Sequence, residues 1–437
     1  MEYWLIGFGS PCPSATWNQS GNSCWFNSAS TVAPAVTAAQ LQGTKLTGTA
    51  SATTDTVVLT TAGGNATATA QDSVVSLSQQ WNIAEFNIFG DCCSSQANFS
   101  AGTTAVVRIA LTDGTQTKPV CTVAGFTAET NNLNFGPTAP ASSGAAPALL
   151  FTQSSAGGLV GCAAATSVGD THLTTFGNTL YDFQASGEFV LAETASPAFS
   201  VQARQLSGAP TWPNATLNKG VAARMGKTQV AVCLADIPLF IDGKRENLAD
   251  GKSIVLPDGA DISRHGNIYL IRDRSGDSLR AELNGTYINV AVGLGRWPAK
   301  VSGVLANANQ NVQQVAARDG AVLTAPFPFT PLYHHFADSW RVPVSDSMLS
   351  VCGEQKGEPG FPSKPFHAAD LDPQTYKSAR AACTEAGVKA GPHFDACMID
   401  VAVIGTHAAA KVFVGVRPPA AVGDARTARL DRDRDAR

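Results

Sequence analysis

Ten cysteines, at positions 12, 24, 92, 93, 121, 162, 233, 352, 383 and 397, constrain this chain more than any other feature. Written out they are Cys12, Cys24, Cys92, Cys93, Cys121, Cys162, Cys233, Cys352, Cys383 and Cys397. They are widely spaced and contain no C-x-x-C pair, a pattern that fits disulfides better than metal or redox centres. Five lie before residue 130 and five after residue 160. If all pair, an odd number of bridges must join the two halves. The adjacent Cys92 and Cys93 are expected to take separate partners. Each bridge would add about 2–4 kcal/mol by restricting the unfolded chain.

Composition agrees with an oxidising compartment. At 437 residues the chain calls for more than one domain. Charged residues make up only 15%, against roughly 25% in an average soluble protein. The deficit lies in residues 1–160, which hold seven acidic and three basic side chains among Thr, Ser, Ala, Gly and Asn. A net charge of −4 gives no basic footprint for nucleic acid. No apolar run approaches the ~20 residues of a transmembrane helix, and Tyr3–Phe8 is too short for a secretory core segment. Five acceptor triplets for N-glycosylation, at Asn18, Asn65, Asn98, Asn214 and Asn284, agree with secretion or arise by chance in a chain rich in Ser, Thr and Asn.

Turn residues punctuate the chain at short intervals. In residues 1–155, β-rich runs at 56–60, 73–77, 84–89, 105–111 and 120–126 read as a β-sandwich or jelly roll with no long helix. Trp81, Phe86, Phe89 and Phe99 surround the double cysteine, and such a cluster either fills a core or stacks sugars. Pro137 to Pro147 reads as a linker. From Cys162 to about residue 345, runs at 199–205, 229–234, 238–241, 253–256, 268–271, 278–283 and 287–292 alternate with turns. Asn284-Gly285 is the strongest hairpin signal, and the succession predicts a second antiparallel sandwich.

The stretch Gly169 to Glu193 reads as three strands broken at Gly177-Asn178 and at Ala185–Gly187. Tyr181 and Phe183 share one face, as do Phe189 and Leu191. Its residues, Gly169-Asp170-Thr171-His172-Leu-Thr-Thr-Phe176, then Tyr181-Asp-Phe-Gln184, then Gly187-Glu-Phe-Val-Leu191, resemble the opening of a von Willebrand factor type D domain. Val301-Ser-Gly-Val-Leu-Ala-Asn-Ala-Asn-Gln-Asn311 is similar to that family's Gly-Leu-x-Gly-Asn-x-Asn-Gly loop, and Phe336-Ala-Asp-Ser-Trp-Arg-Val342 to its closing block. The resemblance spans Gly169 to Val342 and implies a sandwich of the cell surface or matrix.

Two chemistries of that family meet departures. Some members cleave themselves within Gly-Asp-Pro-His, but Thr171 replaces the proline whose tertiary amide makes the bond labile. Asp170 and His172 are therefore expected to organise a strand start through hydrogen bonds. Other members bind calcium at the asparagine loop. Asn307, Asn309 and Asn311 retain oxygen ligands, yet Gly177 stands where a hairpin carboxylate is expected, and Gln313 and Gln314 stand near the positions of the family's acidic pair. An amide-only cage would hold Ca²⁺ weakly, so no cofactor is expected; amides closing the loop by hydrogen bonds would take the ion's place.

After Cys352 the period becomes helical. Asp372 can cap a helix with Pro373 at its first position, ending at Gly387, and a second helix is expected from Asp395 to Ile404. Cys383 and Cys397 can meet across this pair. It resembles a reduced form of the cysteine-rich helical module that often follows the family's D domain. The tail 417–437 has too little apolar surface to fold.

The expected organisation is mostly β: a sandwich at 1–155, a D-type sandwich at 162–345, a disulfide-linked helical module at 346–416 and a disordered tail at 417–437. His334-His335 are read as strand neighbours on opposite faces, unable to share an ion. Asp182 and Glu188 lie near turns, and no Gly-x-Ser-x-Gly elbow, phosphate loop or His-Glu-x-x-His occurs. No catalytic residue is assigned and the chain is not expected to be an enzyme. The leading function is a secreted structural or adhesive glycoprotein, binding extracellular proteins or itself; the alternative is carbohydrate binding by the N-terminal sandwich.

Overall fold

The computed structural model describes residues 1–86, 96–122, 130–131, 133–135, 139–141, 147–155, 161–195, 199–207, 212, 214–353 and 360–424. The fold is mostly β with a small helical module, as composition and turn spacing foretell. The chain forms two compact units, Met1–Glu85 and Phe86–Arg437.

The smaller unit holds two antiparallel sheets. One has Ser23–Asn27 between Glu2–Leu5 and Asn18–Ser20, with Cys12 bridged to Cys24. The other has Thr54–Thr61 between Lys45–Ala50 and Gly64–Gln71. The buried Tyr3 hydroxyl donates to Asp55 Oδ2 at 2.9 Å and ties one sheet to the other. The run at 73–77 is not a strand: Asp72–Val74 is a 3-10 turn and Leu77–Gln80 a helical turn. Asp72 decides this locally, because its carboxylate accepts the Ser78 amide and hydroxyl, each at 2.8 Å.

The boundary between units falls before residue 86 rather than near 155 because later strands are tied to the larger unit. Thr104–Ala110 pairs along its length with Ala148–Ser154. Cys121 is bridged to Cys162, and Cys121–Thr122 pairs with Arg296–Trp297. The expected linker contributes an edge strand, Ala139–Ala141, which pairs with Ala148–Leu150. Pro140 is tolerated there because an edge strand has one side free of ladder bonds.

Two large sheets form the heart of this unit. One has nine strands in the order Ser253–Val255, Asp261–His265, Ile268–Arg272, Ser278–Leu283, Ile288–Leu294, Ala163–Val168, His172–Thr174, Thr179–Asp182 and Ala421–Val422. The other has seven, in the order Lys244–Glu246, Leu239–Ile241, Thr228–Cys233, Thr216–Met225, Phe199–Ser207, Gly187–Thr194 and Val301–Ser302. Between them lies one apolar cluster including Leu173, Tyr181, Phe183, Phe189, Leu191, Val221, Val232, Ile271 and Val290. Phe183 meets Phe189 edge to face at 5.1 Å, so the faces shared by Tyr181 with Phe183 and by Phe189 with Leu191 are the core faces.

Two helices follow, α1 (Pro373–Glu385) and α2 (Pro392–Ile404). Asp372 caps α1 by accepting the Gln374 and Thr375 amides, both at 3.0 Å. Cys383 and Cys397 join the helices, and Cys233 joins Cys352. Residues 417–424 correct the expectation of a disordered tail. Ala421–Val422 adds a parallel strand to Thr179–Asp182, because Ala420, Ala421, Val422 and Gly423 supply a short uncharged segment ahead of the charged terminus.

Candidate functional site

The Gly169–His172 motif lies at the meeting of the nine-stranded sheet and α2. His172 and Asp182 are direct partners on adjacent strands, and their side chains meet at 2.6 Å through Nδ1 and Oδ1. On the other side of the ring, Nε2 lies 3.4 Å from Asp400 Oδ1 on α2. Asp400 also accepts the Asp170 amide at 2.5 Å. Gly169 has φ +54, and a Cβ there would fall 1.7 Å from Asp400 Oδ2, so the close approach requires glycine. Thr171, also at positive φ, fixes its hydroxyl on Thr216 O at 2.6 Å.

Charge in this cluster is set by its enclosure. His172 is 1% exposed, and Asp170 and Asp400 are wholly buried. Burial disfavours the cationic ring, but Asp182 and Asp400 outweigh it and hold His172 well above its ordinary value. Burial raises the Asp170 carboxyl well above the usual range; His172 opposes this, and Asp400 and Asp182 reinforce it. Both shifts favour the protonated form, the neutral acid at Asp170 and the cation at His172, whose ring lies between the carboxyl groups of Asp182 and Asp400. His393 on α2 is lowered by burial and by the charge on His172. The expectation that Asp170 and His172 organise a strand start holds for the backbone of Asp170 and the ring of His172. Neither side-chain oxygen of Asp170 has a hydrogen-bond partner among the described residues.

The signal for Asp400 was in the sequence. It is a lone acid in the apolar run Met398-Ile399-Asp400-Val401, and a carboxylate there needs a buried partner. Glu188, the other carboxylate near a turn, forms a buried pair with Arg204 at 2.7 Å. Arg204 also donates to Gly353 O at 3.0 Å and Leu349 O at 2.8 Å. Ser347 Oγ donates to Glu188 at 2.5 Å, so this pair pins the 347–353 segment that carries Cys352.

Asn307, Asn309 and Asn311 do not converge on one point. Asn307 Oδ1 accepts the Gly177 amide at 2.8 Å, and its Nδ2 donates to Thr179 Oγ1 at 2.9 Å. Asn311 Oδ1 accepts the Gln313 amide at 2.9 Å. Asn309 is exposed and left-handed, with φ 51. A Cβ on Gly177 would lie 2.5 Å from Asn307 Oδ1, so the Asn307 amide and a side chain at 177 are mutually exclusive here. Amide-to-backbone bonds close the loop, and its three asparagines bring no carboxylate that would strengthen calcium binding. Among the described residues no group of three or more His, Cys, Asp or Glu has the arrangement to hold a metal. The break between the first two strands is wider than the pair Gly177-Asn178: Thr175–Asn178 forms the turn, with Asn178 at positive φ.

His334 and His335 lie on a helical turn, Leu332–Ala337, not on a strand. Successive helical side chains diverge, so they still part: His334 meets Phe361 and His335 meets Asp319 at 2.8 Å. A cavity of about 260 Å³ beside the cluster is lined by Asp182, His367, Tyr376, Met398, Asp395 and Asp424. Asn18, Asn65 and Asn98 are exposed, whereas Asn214 is half-buried and accepts the Ser363 amide at 2.9 Å. Asn284 is half-buried in its turn. Trp81 lies in the smaller unit and Phe86 in the larger, each partly exposed, while Phe89, Cys92 and Cys93 lie outside the described residues. No helix among the described residues is long and apolar enough to cross a membrane. No family model matches the chain.

Proposed function

We propose that this chain is a secreted, disulfide-bonded structural or adhesive glycoprotein that works through protein–protein contacts and self-assembly. The observation that carries the reading is the enclosure of the Gly169–His172 motif. His172, Asp170 and Asp400 are buried against α2 and the neighbouring strand, where they lock two parts of the larger unit together, while Asp182 lines the cavity beside them. Four disulfides among the described residues and a charge-poor N-terminal half agree with an oxidising, extracellular setting. The resemblance to von Willebrand factor type D domains belongs to the same reading, in a form whose loop is closed by amides instead of an ion. Light scattering coupled to size exclusion, run oxidised and reduced, tests assembly. Concentration-dependent oligomers are expected in the oxidised sample; a monomer under both conditions contradicts self-assembly.

A second reading, carbohydrate binding by the N-terminal region, draws on Trp81. The residue is 45% exposed, and a sugar-stacking residue must be accessible. Glycan binding abolished by Trp81→Ala would favour it, and silence across plant, algal and bacterial glycans would eliminate it.

A further inference from the structure

The first sheet of the smaller unit carries a partly exposed pair of indoles beside a glycosylation triplet. Trp4 pairs directly with Trp25, and Trp25 with Asn18. Directly opposed residues of antiparallel strands project to one face, so Asn18, Trp25 and Trp4 form a row across the three strands. The opposite face holds Tyr3, Cys24 and Phe26, with Tyr3 and Cys24 buried. On the outer face the indoles of Trp4 and Trp25 stack at 6.4 Å with 29° between planes. Trp4 is 44% exposed, and its Nε1 donates to Glu2 at 2.6 Å, which fixes the ring.

We infer that an N-linked glycan on Asn18 lies along this row, its first N-acetylglucosamine on Trp25 and its second on Trp4. Asn18-Gln19-Ser20 is an acceptor triplet and Asn18 is exposed. Neighbouring strands are about 4.8 Å apart, close to the length of one pyranose, so each sugar of the core advances by one strand. The C–H face of a pyranose is apolar and suits the flat face of an indole, whereas its hydroxyls stay in water. The aromatic surface is thus the bed of the chain's own modification, and its exposure in the bare polypeptide has a reason. The inference rests on the secreted-glycoprotein reading.

The test uses the full chain secreted from a eukaryotic host. Site occupancy is read by glycopeptide mass spectrometry, and reactivity of Trp4 and Trp25 by hydroxyl-radical footprinting. Wild type is compared with Asn18→Gln and Ser20→Ala, which remove the triplet in different ways. Asn18 should be occupied, and both indoles should be several-fold less reactive than in either variant. Trimming wild type with an endoglycosidase that leaves one N-acetylglucosamine should expose Trp4 and leave Trp25 protected. Equal reactivity with and without the glycan, or trimming that exposes Trp25, overturns the inference. An empty Asn18 on a chain glycosylated at Asn65 or Asn98 overturns it while leaving the secreted reading intact. A chain bare at every triplet with Cys12 and Cys24 reduced overturns both.

Discussion

At the scale of single residues, the ionisable cluster ties stability to pH in one direction. His172 is raised above its ordinary value of 6.5, so its contribution is complete below that value and is lost as pH rises through the folded value. Asp170 is raised above 3.8, so the native state also retains its proton when the unfolded chain has released it. Both make the folded chain bind more protons than the unfolded one, and stability falls with rising pH. Calorimetry from about pH 5 to about pH 9 should show a declining melting temperature, flattened by Asp170→Asn, which keeps the neutral shape. A rise over that range, unchanged in the variant, would contradict the assignment. Gly177 supports a second expectation. Gly177→Ala drives a Cβ toward Asn307 and should cost about 1–3 kcal/mol by denaturant unfolding. Asn307→Gly in that background should cost less than the sum of the two single changes.

At the scale of elements, legibility followed the physical origin of each. Strands with turn residues at both ends, such as Ser278–Leu283 and Ile288–Leu294, were readable, as were α1 and its Asp372 cap. Thr216–Met225, the longest strand in the sheets, was not. Its sequence, TLNKGVAARM, contains Lys, Gly and Arg and is buried at eight of its ten positions, so no alternation marks it. The run at 73–77 failed because a side-chain carboxylate outcompeted the ladder. Of the candidate site, the His172–Asp182 pairing lay within a recognisable motif, but Asp400 comes from 228 positions beyond His172, and such a contact exists only after folding. For the helical pair, Cys383→Ser with Cys397→Ser opens a link between residues 14 apart. The loss should be about 3 kcal/mol. Hydrogen exchange should quicken in α1 and α2 before it does in Phe199–Ser207; uniform quickening would show that the pair is not a separate cooperative element.

At the scale of the whole molecule, the cysteine parity reappears as one particular bond. Cys121 belongs to the first five cysteines and Cys162 to the last five, so their bridge supplies the odd link between the halves. A non-reducing peptide map should recover Cys12–Cys24, Cys121–Cys162, Cys233–Cys352 and Cys383–Cys397 as linked peptides. Exchange of Cys121 for another partner would undo the placement of Thr104–Ala110 and Ala148–Ser154 in the larger unit.

The short strand Ala421–Val422 bears on how copies could meet. Sheets grow by adding strands at unpaired edges, and this segment occupies one end of the nine-stranded sheet, held by Ala420 N–H to Asn178 O at 2.7 Å and Gly423 N–H to Leu180 O at 2.8 Å. Strand Ser253–Val255 ends the other side, with Val255 half-exposed. The sheet therefore ends on a two-residue parallel strand at one side and a three-residue antiparallel strand at the other. Removal of residues 420–424 would bare the carbonyls of Asn178 and Leu180 that they now hold, and so lengthen the edge offered for strand addition on that side.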